Sequence, residues 1–124
     1  MVSINTFKEI TLSFPETFEY PHFHKTAYKC GKRIFATLDG KNHQANIKLS
    51  LVDQDVFCTF DRTVMFPVPN KWGKQGWTVI DLKKVRKSML IDALTTSYCE
   101  VASAKLIEQL KANNITQKRG KIKP

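Results

Sequence analysis

Between two apolar runs the chain inserts Asn70-Lys71-Trp72-Gly73-Lys74-Gln75-Gly76-Trp77. Val64-Met65-Phe66-Pro67-Val68-Pro69 leads in, and Thr78-Val79-Ile80-Asp81-Leu82 leads out. Apolar runs of this length bounded by turn formers read as strands, so residues 64–82 are constrained to strand, turn, strand. Gly73 and Gly76 permit turn conformations that residues carrying a Cβ resist. Trp72 and Trp77 are the two tryptophans of the chain. Their rings can anchor the turn to a core. They can also stack on a flat ligand while Lys71 and Lys74 meet its negative charge.

The remaining elements follow from periodicity. Ile4, Phe7, Ile10 and Phe14 recur at helical steps, with Ser3 or Asn5 as cap and Pro15 as stop. Residues 16–24 read as irregular or edge-like, since Pro21 cannot donate to a sheet ladder. Residues 26–30 and 33–38 form a hairpin about Gly31-Lys32. Asp39-Gly40-Lys41-Asn42 turns the chain into 45–49, where Ala45, Ile47 and Leu49 alternate with Asn46 and Lys48. Ser50 caps a short helix over 51–59 whose apolar positions are Val52, Val56, Phe57 and Phe60. Residues 88–103 carry a stripe of Met89, Leu90, Ala93, Leu94, Tyr98, Val101 and Ala102. Residues 104–112 continue that helix or start another. The order α-β-β-β-α-β-β-α gives an α+β fold of two layers: an antiparallel sheet of about five strands, backed by helices on one face. One domain spans 1–112, and 113–124 reads as a basic, disordered tail.

Charge is asymmetric. The formal net is +9, and residues 61–124 hold 13 basic against 5 acidic side chains. Lys71, Lys74, Lys83, Lys84, Arg86 and Lys87 crowd one stretch. Such asymmetry points to an anionic partner, nucleic acid above all, or to a solvated surface that aids solubility. Cys30, Cys58 and Cys99 are scattered and odd in number, as in a reducing compartment. With no apolar span and no signal-peptide layout at the start, the expected location is the cytoplasm, with no membrane association.

No phosphate-binding glycine loop and no nucleophile elbow occurs, so an enzyme is not expected, nor a cofactor. Gly73-Lys74-Gln75-Gly76 has the spacing of a KH loop, but KH places that loop between helices rather than strands. His22-Phe23-His24 with Glu19 lacks a third spaced ligand, so no metal site is expected.

Several segments together resemble the MmcQ/YjbR family of small bacterial proteins. These are Pro21-His22-Phe23, Ile34-Phe35-Ala36-Thr37-Leu38, Ala45-Asn46-Ile47-Lys48-Leu49-Ser50, Pro67-Val68-Pro69, and Trp72-Gly73-x-x-Gly76-Trp77-Thr78 with Asp81-Leu82. The resemblance covers roughly residues 7–106. Ser103 stands where the family usually has proline, which implies a last helix that runs on toward Ala112. The resemblance implies a CyaY-like or secretion-chaperone-like α+β domain without a catalytic motif. It also implies the label "DNA-binding", which rests on fold analogy.

The first functional expectation is therefore a small cytoplasmic nucleic-acid-binding protein of weak sequence specificity. Lys71, Lys74, Lys83, Lys84, Arg86 and Lys87 would contact phosphates, and Trp72 and Trp77 would stack or enter a groove. The binding claim rests more on those cations than on the rings, which read as anchors. The second is a protein-interaction or chaperone-like module using Phe18, Tyr20, Phe23 and Tyr28, the chain being a monomer or weak dimer. A frataxin-like metal handler would need an acidic surface, which a chain of net charge +9 does not offer.

Overall fold

The computed structural model describes the backbone of residues 1–122 and the side chains of residues 1–113. The tail read at 113–124 lies, apart from Asn113, outside the residues whose side chains are described. The elements run α1 (Ile4–Leu12), β1 (Thr17–His22), β2 (Lys25–Cys30), β3 (Arg33–Asp39), β4 (Gln44–Lys48), α2 (Leu51–Phe60), β5 (Met65–Pro67), β6 (Trp77–Asp81), α3 (Lys87–Val101) and α4 (Ala104–Ile122). All strand pairs are antiparallel, and the sheet order is β1-β2-β3-β4-β6-β5.

Six strands form where about five are expected. The added one is β1, in the segment that reads as edge-like. It lies at the sheet edge, where Pro21 costs no ladder bond. Ser3 is the cap of α1, its hydroxyl accepting from the Thr6 N–H at 3.1 Å. Ser50 caps α2 through the Asp53 N–H at 3.1 Å.

The last helix does not run on past Ser103. It breaks there, because the chain is extended at Ala102 and Ser103 caps the next helix. The Ser103 hydroxyl accepts from the Leu106 N–H at 3.3 Å. A serine satisfies an orphan N–H that continued helix would have bonded internally.

The core lies between α1, α3 and one sheet face. Tyr28, Phe35, Ile47, Ile80 and Leu82 on the sheet side meet Phe7, Leu90, Leu94 and Tyr98 from the helices, all fully buried. Phe14 stacks on Tyr98 at 5.0 Å, and Phe35 meets the same ring edge-on at 5.6 Å. The Tyr98 hydroxyl donates to the Pro15 carbonyl at 2.6 Å, tying α3 to the turn that ends α1. Burial pushes that phenol well above its ordinary pKa, so it remains a donor. Tyr98→Phe should cost about 1–2 kcal/mol in urea unfolding without changing the fold, since the ring packing survives and one buried bond is lost.

Helix α2 forms where it is read, with Ser50 as its cap, but its apolar positions do not pack on the core. Its buried side chains are Gln54 and Cys58, with Phe57 half-buried. Leu51, Val52, Val56 and Phe60 stand 57%, 74%, 61% and 79% exposed. The periodicity predicts an apolar stripe correctly but not which way it points. The Gln54 amide is pulled inward by the turn 70–77 and rotates the stripe out. Tyr28 is likewise buried under the helices and supplies no surface patch. Among the described residues, no buried side-chain N or O atom lacks a partner, and no helix is long and apolar enough to cross a membrane.

Candidate functional site

Among the described residues, the helices cover one face of the sheet. On the other, Asn46 pairs across to Thr37 and Val79, and Lys48 to Trp77. An open groove of about 850 Å³ crosses this face diagonally. Its floor is Ile34, Thr37 and Asn46. One wall is the β1–β2 hairpin, with His22, Phe23, His24 and Lys25; the other is the segment Val68, Asn70, Trp72 and Trp77.

The tryptophan wall is fixed by its backbone. Residues Gly73–Gln75 form a single 3₁₀ turn, closed by Gly76 in the left-handed region at φ 102°. The Asn70 side-chain carbonyl accepts from the Trp72 N–H at 2.9 Å. The Trp72 carbonyl accepts from Gln75 N–H at 3.0 Å and Trp77 N–H at 3.1 Å. The Lys48 ammonium donates to the Gln75 carbonyl at 2.6 Å and the Leu49 carbonyl at 3.1 Å. From below, Gln54 Nε2 donates to the Gly73 carbonyl at 2.9 Å, the Trp77 carbonyl at 3.1 Å and Thr78 Oγ1 at 3.2 Å. Trp72 nevertheless remains 49% exposed, and Trp77 is half-buried. The loop is anchored by glycines and amide bonds, which leaves the Trp72 ring available.

The facing wall is also unusual. Phe23 is 93% exposed at a hairpin tip, with a left-handed φ of 59°. A bulky side chain in that region costs of order 1–3 kcal/mol, a kind of strain that clusters at functional sites. His22 packs edge-on against the Phe23 ring at 5.0 Å. Phe18 and Tyr20 extend the exposed aromatic surface along β1, with the Lys29 ammonium 4.7 Å from the Tyr20 ring centre. The Lys71 ammonium lies 5.8 Å from the Trp72 ring centre. Aromatic faces thus alternate with cations across the uncovered sheet.

The eight residues singled out in the sequence divide between two places. Trp72 and Trp77 line the groove, Lys71 sits over Trp72, and Lys74 is exposed on the same turn. Lys83, Lys84, Arg86 and Lys87 are exposed beyond the other end of β6, roughly 13 Å along the strand by its rise per residue. Lys84 and Arg86 line a different groove, between α2 and α3. Arg86 stands at the N-cap position of α3 without a side-chain capping bond, and Lys87 is the helix's first residue. The basic run of the sequence is therefore two clusters. Sequence reasoning omitted His22, His24, Lys25, Asn46 and Gln54 from the binding set. The alternation of residues 45–49 does mark Asn46 as pointing away from the core. Nothing local marks Gln54.

The YjbR family model matches residues 12–100. The chain belongs to the YjbR family. Among solved structures, the Deinococcus radiodurans protein DR2400, described with the family-model domain DUF419, superposes with a TM-score of 0.71. The match covers 90% of this chain and 89% of that one, at 16% identity, a likeness of fold alone. No curated protein matches the chain. The YjbR match brackets both walls of the groove. The motif Trp72-Gly73-x-x-Gly76-Trp77 supplies one of them, and Gly73 and Gly76 stand there because backbone atoms fill the space a Cβ would need.

Proposed function

We propose that this YjbR-family chain is a small, non-enzymatic, cytoplasmic nucleic-acid-binding protein that takes unpaired bases on the uncovered face of its sheet. The observation that carries the reading is the groove itself, with half-exposed Trp72 on one wall, exposed Phe23 on the other and Lys25 and Lys71 beside them. Bases stack on aromatic faces whatever their identity, so sequence preference is weak, while lysines neutralise phosphates and make binding salt-dependent. A duplex hides its base faces, so single strands bind more tightly.

A second reading, docking of an extended peptide along the free edge of β1, draws on exposed Phe18 and Tyr20. Pro21 and Glu19 on that edge oppose strand addition.

Both tryptophans line the groove, so tryptophan fluorescence quenching reports occupancy directly. Titration with oligo(dT) at low salt should quench it, and a duplex of equal length should bind more weakly. Trp72→Ala should weaken single-strand binding about tenfold, within the range of one lost stack. Lys25→Gln with Lys71→Gln should flatten the slope of log K against log salt by about 0.7 per lysine. If neither single strand nor duplex binds at low salt, the reading is wrong.

A further inference from the structure

Asn46, on the floor of the groove, is a side chain that its own strand does not explain. It lies inside β4, with β3 and β6 on either side and Thr37 and Val79 as its cross-strand neighbours. Strand interiors favour β-branched and aromatic residues and disfavour asparagine. Ala45 and Ile47 on either side of it point into the core, so Asn46 stands on the uncovered face. Among the described residues the Asn46 amide makes no hydrogen bond, and neither does the Thr37 hydroxyl. Both side chains are half-buried, and no buried side-chain N or O atom of the described residues lacks a partner, so these polar atoms open into the groove they line. Asn70, on the wall, differs, because its side-chain carbonyl is already taken by the Trp72 N–H.

The walls decide what reaches that amide. Three strand spacings separate β2 from β6, about 14 Å, enough for the wall rings and bases stacked between them. A base lying flat against Trp72 or Phe23 turns its edge, not its face, to the floor. Every nucleobase carries a hydrogen-bond donor beside an acceptor on its pairing edge. An asparagine side chain carries the matching acceptor and donor, and turning the amide over exchanges them. One amide therefore meets any of the bases, which keeps sequence preference weak. In a duplex those edges are already bonded to the opposite strand.

We infer that Asn46 is the base-edge contact of this groove, its amide pairing with the free pairing edge of a base that the wall aromatics stack. This role rests on the nucleic-acid reading and narrows it to ligands that carry such an edge. A flat anion without one would stack and leave the amide unpaired beneath it. An amide cut off from water without a partner costs affinity, so the floor selects against such ligands.

Two oligonucleotides of about ten residues, within the usual range of single-strand site sizes, separate edge contact from stacking. One is oligo(dT), and the other is built from N3-methylthymidine. The methyl group replaces the pairing-edge donor of thymine and leaves the ring faces and phosphates in place. Tryptophan quenching of the full chain at low salt should show the methylated strand binding about tenfold more weakly, within the range for a two-point amide–base pair. Asn46→Ala should bind both strands alike, with about the affinity that wild type has for the methylated one. The amide bonds to no described residue, so its removal leaves nothing unpaired, and far-UV circular dichroism should not change. Asn46→Val, which suits a strand better, should give the same two affinities and covers the case in which alanine loosens β4. Equal binding of the two strands by wild type overturns the inference and leaves the stacking reading standing. So does continued discrimination between them by Asn46→Ala or Asn46→Val. If oligo(dT) causes no quenching at all, the nucleic-acid reading itself falls, and the Asn46 contact with it.

Discussion

Gly76→Ala should destabilise the domain by at least about 4 kcal/mol, enough to leave much of it unfolded at 37 °C. Two independent costs meet at this residue. Its φ of 102° lies where L side chains rarely go, a penalty of roughly 1–2 kcal/mol. A Cβ there would also stand 1.8 Å from the Leu49 carbonyl oxygen and 2.9 Å from its carbon. The colliding atoms are backbone and cannot swing aside. The Leu49 N–H donates to the Gly76 carbonyl at 3.0 Å, and Leu49 itself is fully buried, so the two segments are locked at this spacing. Relief would require separating β4 from the start of β6, which are paired at Lys48 and Trp77. Urea unfolding followed by far-UV circular dichroism measures the loss. Gly31→Ala is the control: φ there is also positive, at 62°, but nothing lies within 4 Å of the added methyl. That variant should lose only about 1 kcal/mol, the conformational cost alone. Gly73→Ala tests the steric cost alone, since its Cβ would lie 2.0 Å from the Val68 carbonyl oxygen without a positive φ. If Gly76→Ala and Gly31→Ala unfold at similar urea concentrations, close packing is not what the glycine is there for.

The same turn shows what was legible in the sequence. Strand, turn and strand over residues 64–82 follow from the local pattern, as do the Ser50 cap and the inward set Ala45, Ile47 and Leu49, while the cap of α1 is narrowed to Ser3 or Asn5. These depend on neighbours a few residues apart, which periodicity and capping rules describe. The groove depends on register instead. Its walls, 22–25 and 68–77, face each other across β3 and β4, which the sheet order places between β2 and β6, and no local pattern encodes that. Conversely, residues 71–87 look like one basic cluster in sequence, but β6 runs between its halves and sends them to opposite ends. Helix α2 is the sharpest case. An apolar stripe predicts that a face will be covered, and the usual cover is the protein's own core. Here three acceptors on the turn and the start of β6, some twenty residues later, claim Gln54, and the stripe is left exposed.

Gln54→Glu isolates that claim with almost no change in shape, and should cost about 3–5 kcal/mol at pH 7, the range for a buried charge deprived of its partner. Gln54 is buried, and its amide nitrogen lies within hydrogen-bond distance of three oxygens, so its two N–H groups serve the Gly73 carbonyl, the Trp77 carbonyl and Thr78 Oγ1 between them. A carboxylate offers no hydrogen and would set negative oxygen against all three. The sign of the pH dependence then follows. Burial and the facing oxygens raise the folded-state pKa of the introduced carboxyl above the ordinary glutamate value of about 4.3. The variant is therefore closest to wild type below that value, where the protonated acid can donate one bond. It loses stability as pH rises toward the raised folded-state pKa. Wild type, holding a neutral amide at this position, has no such term. Unfolding of both proteins by urea at pH 4, pH 5.5 and pH 7 separates the two curves. The expected gap widens with pH at about 1.4 kcal/mol per unit across the titration. Trp72 and Trp77 fluorescence in the folded variant should redden with the same pH course, because the amide holds the turn against α2. A gap that stays constant with pH would mean that Gln54 fills space and does not hold the turn. Loss of oligonucleotide binding at pH 7 with recovery at pH 4 would follow the turn's geometry, since neither Gln54 nor α2 lines the groove.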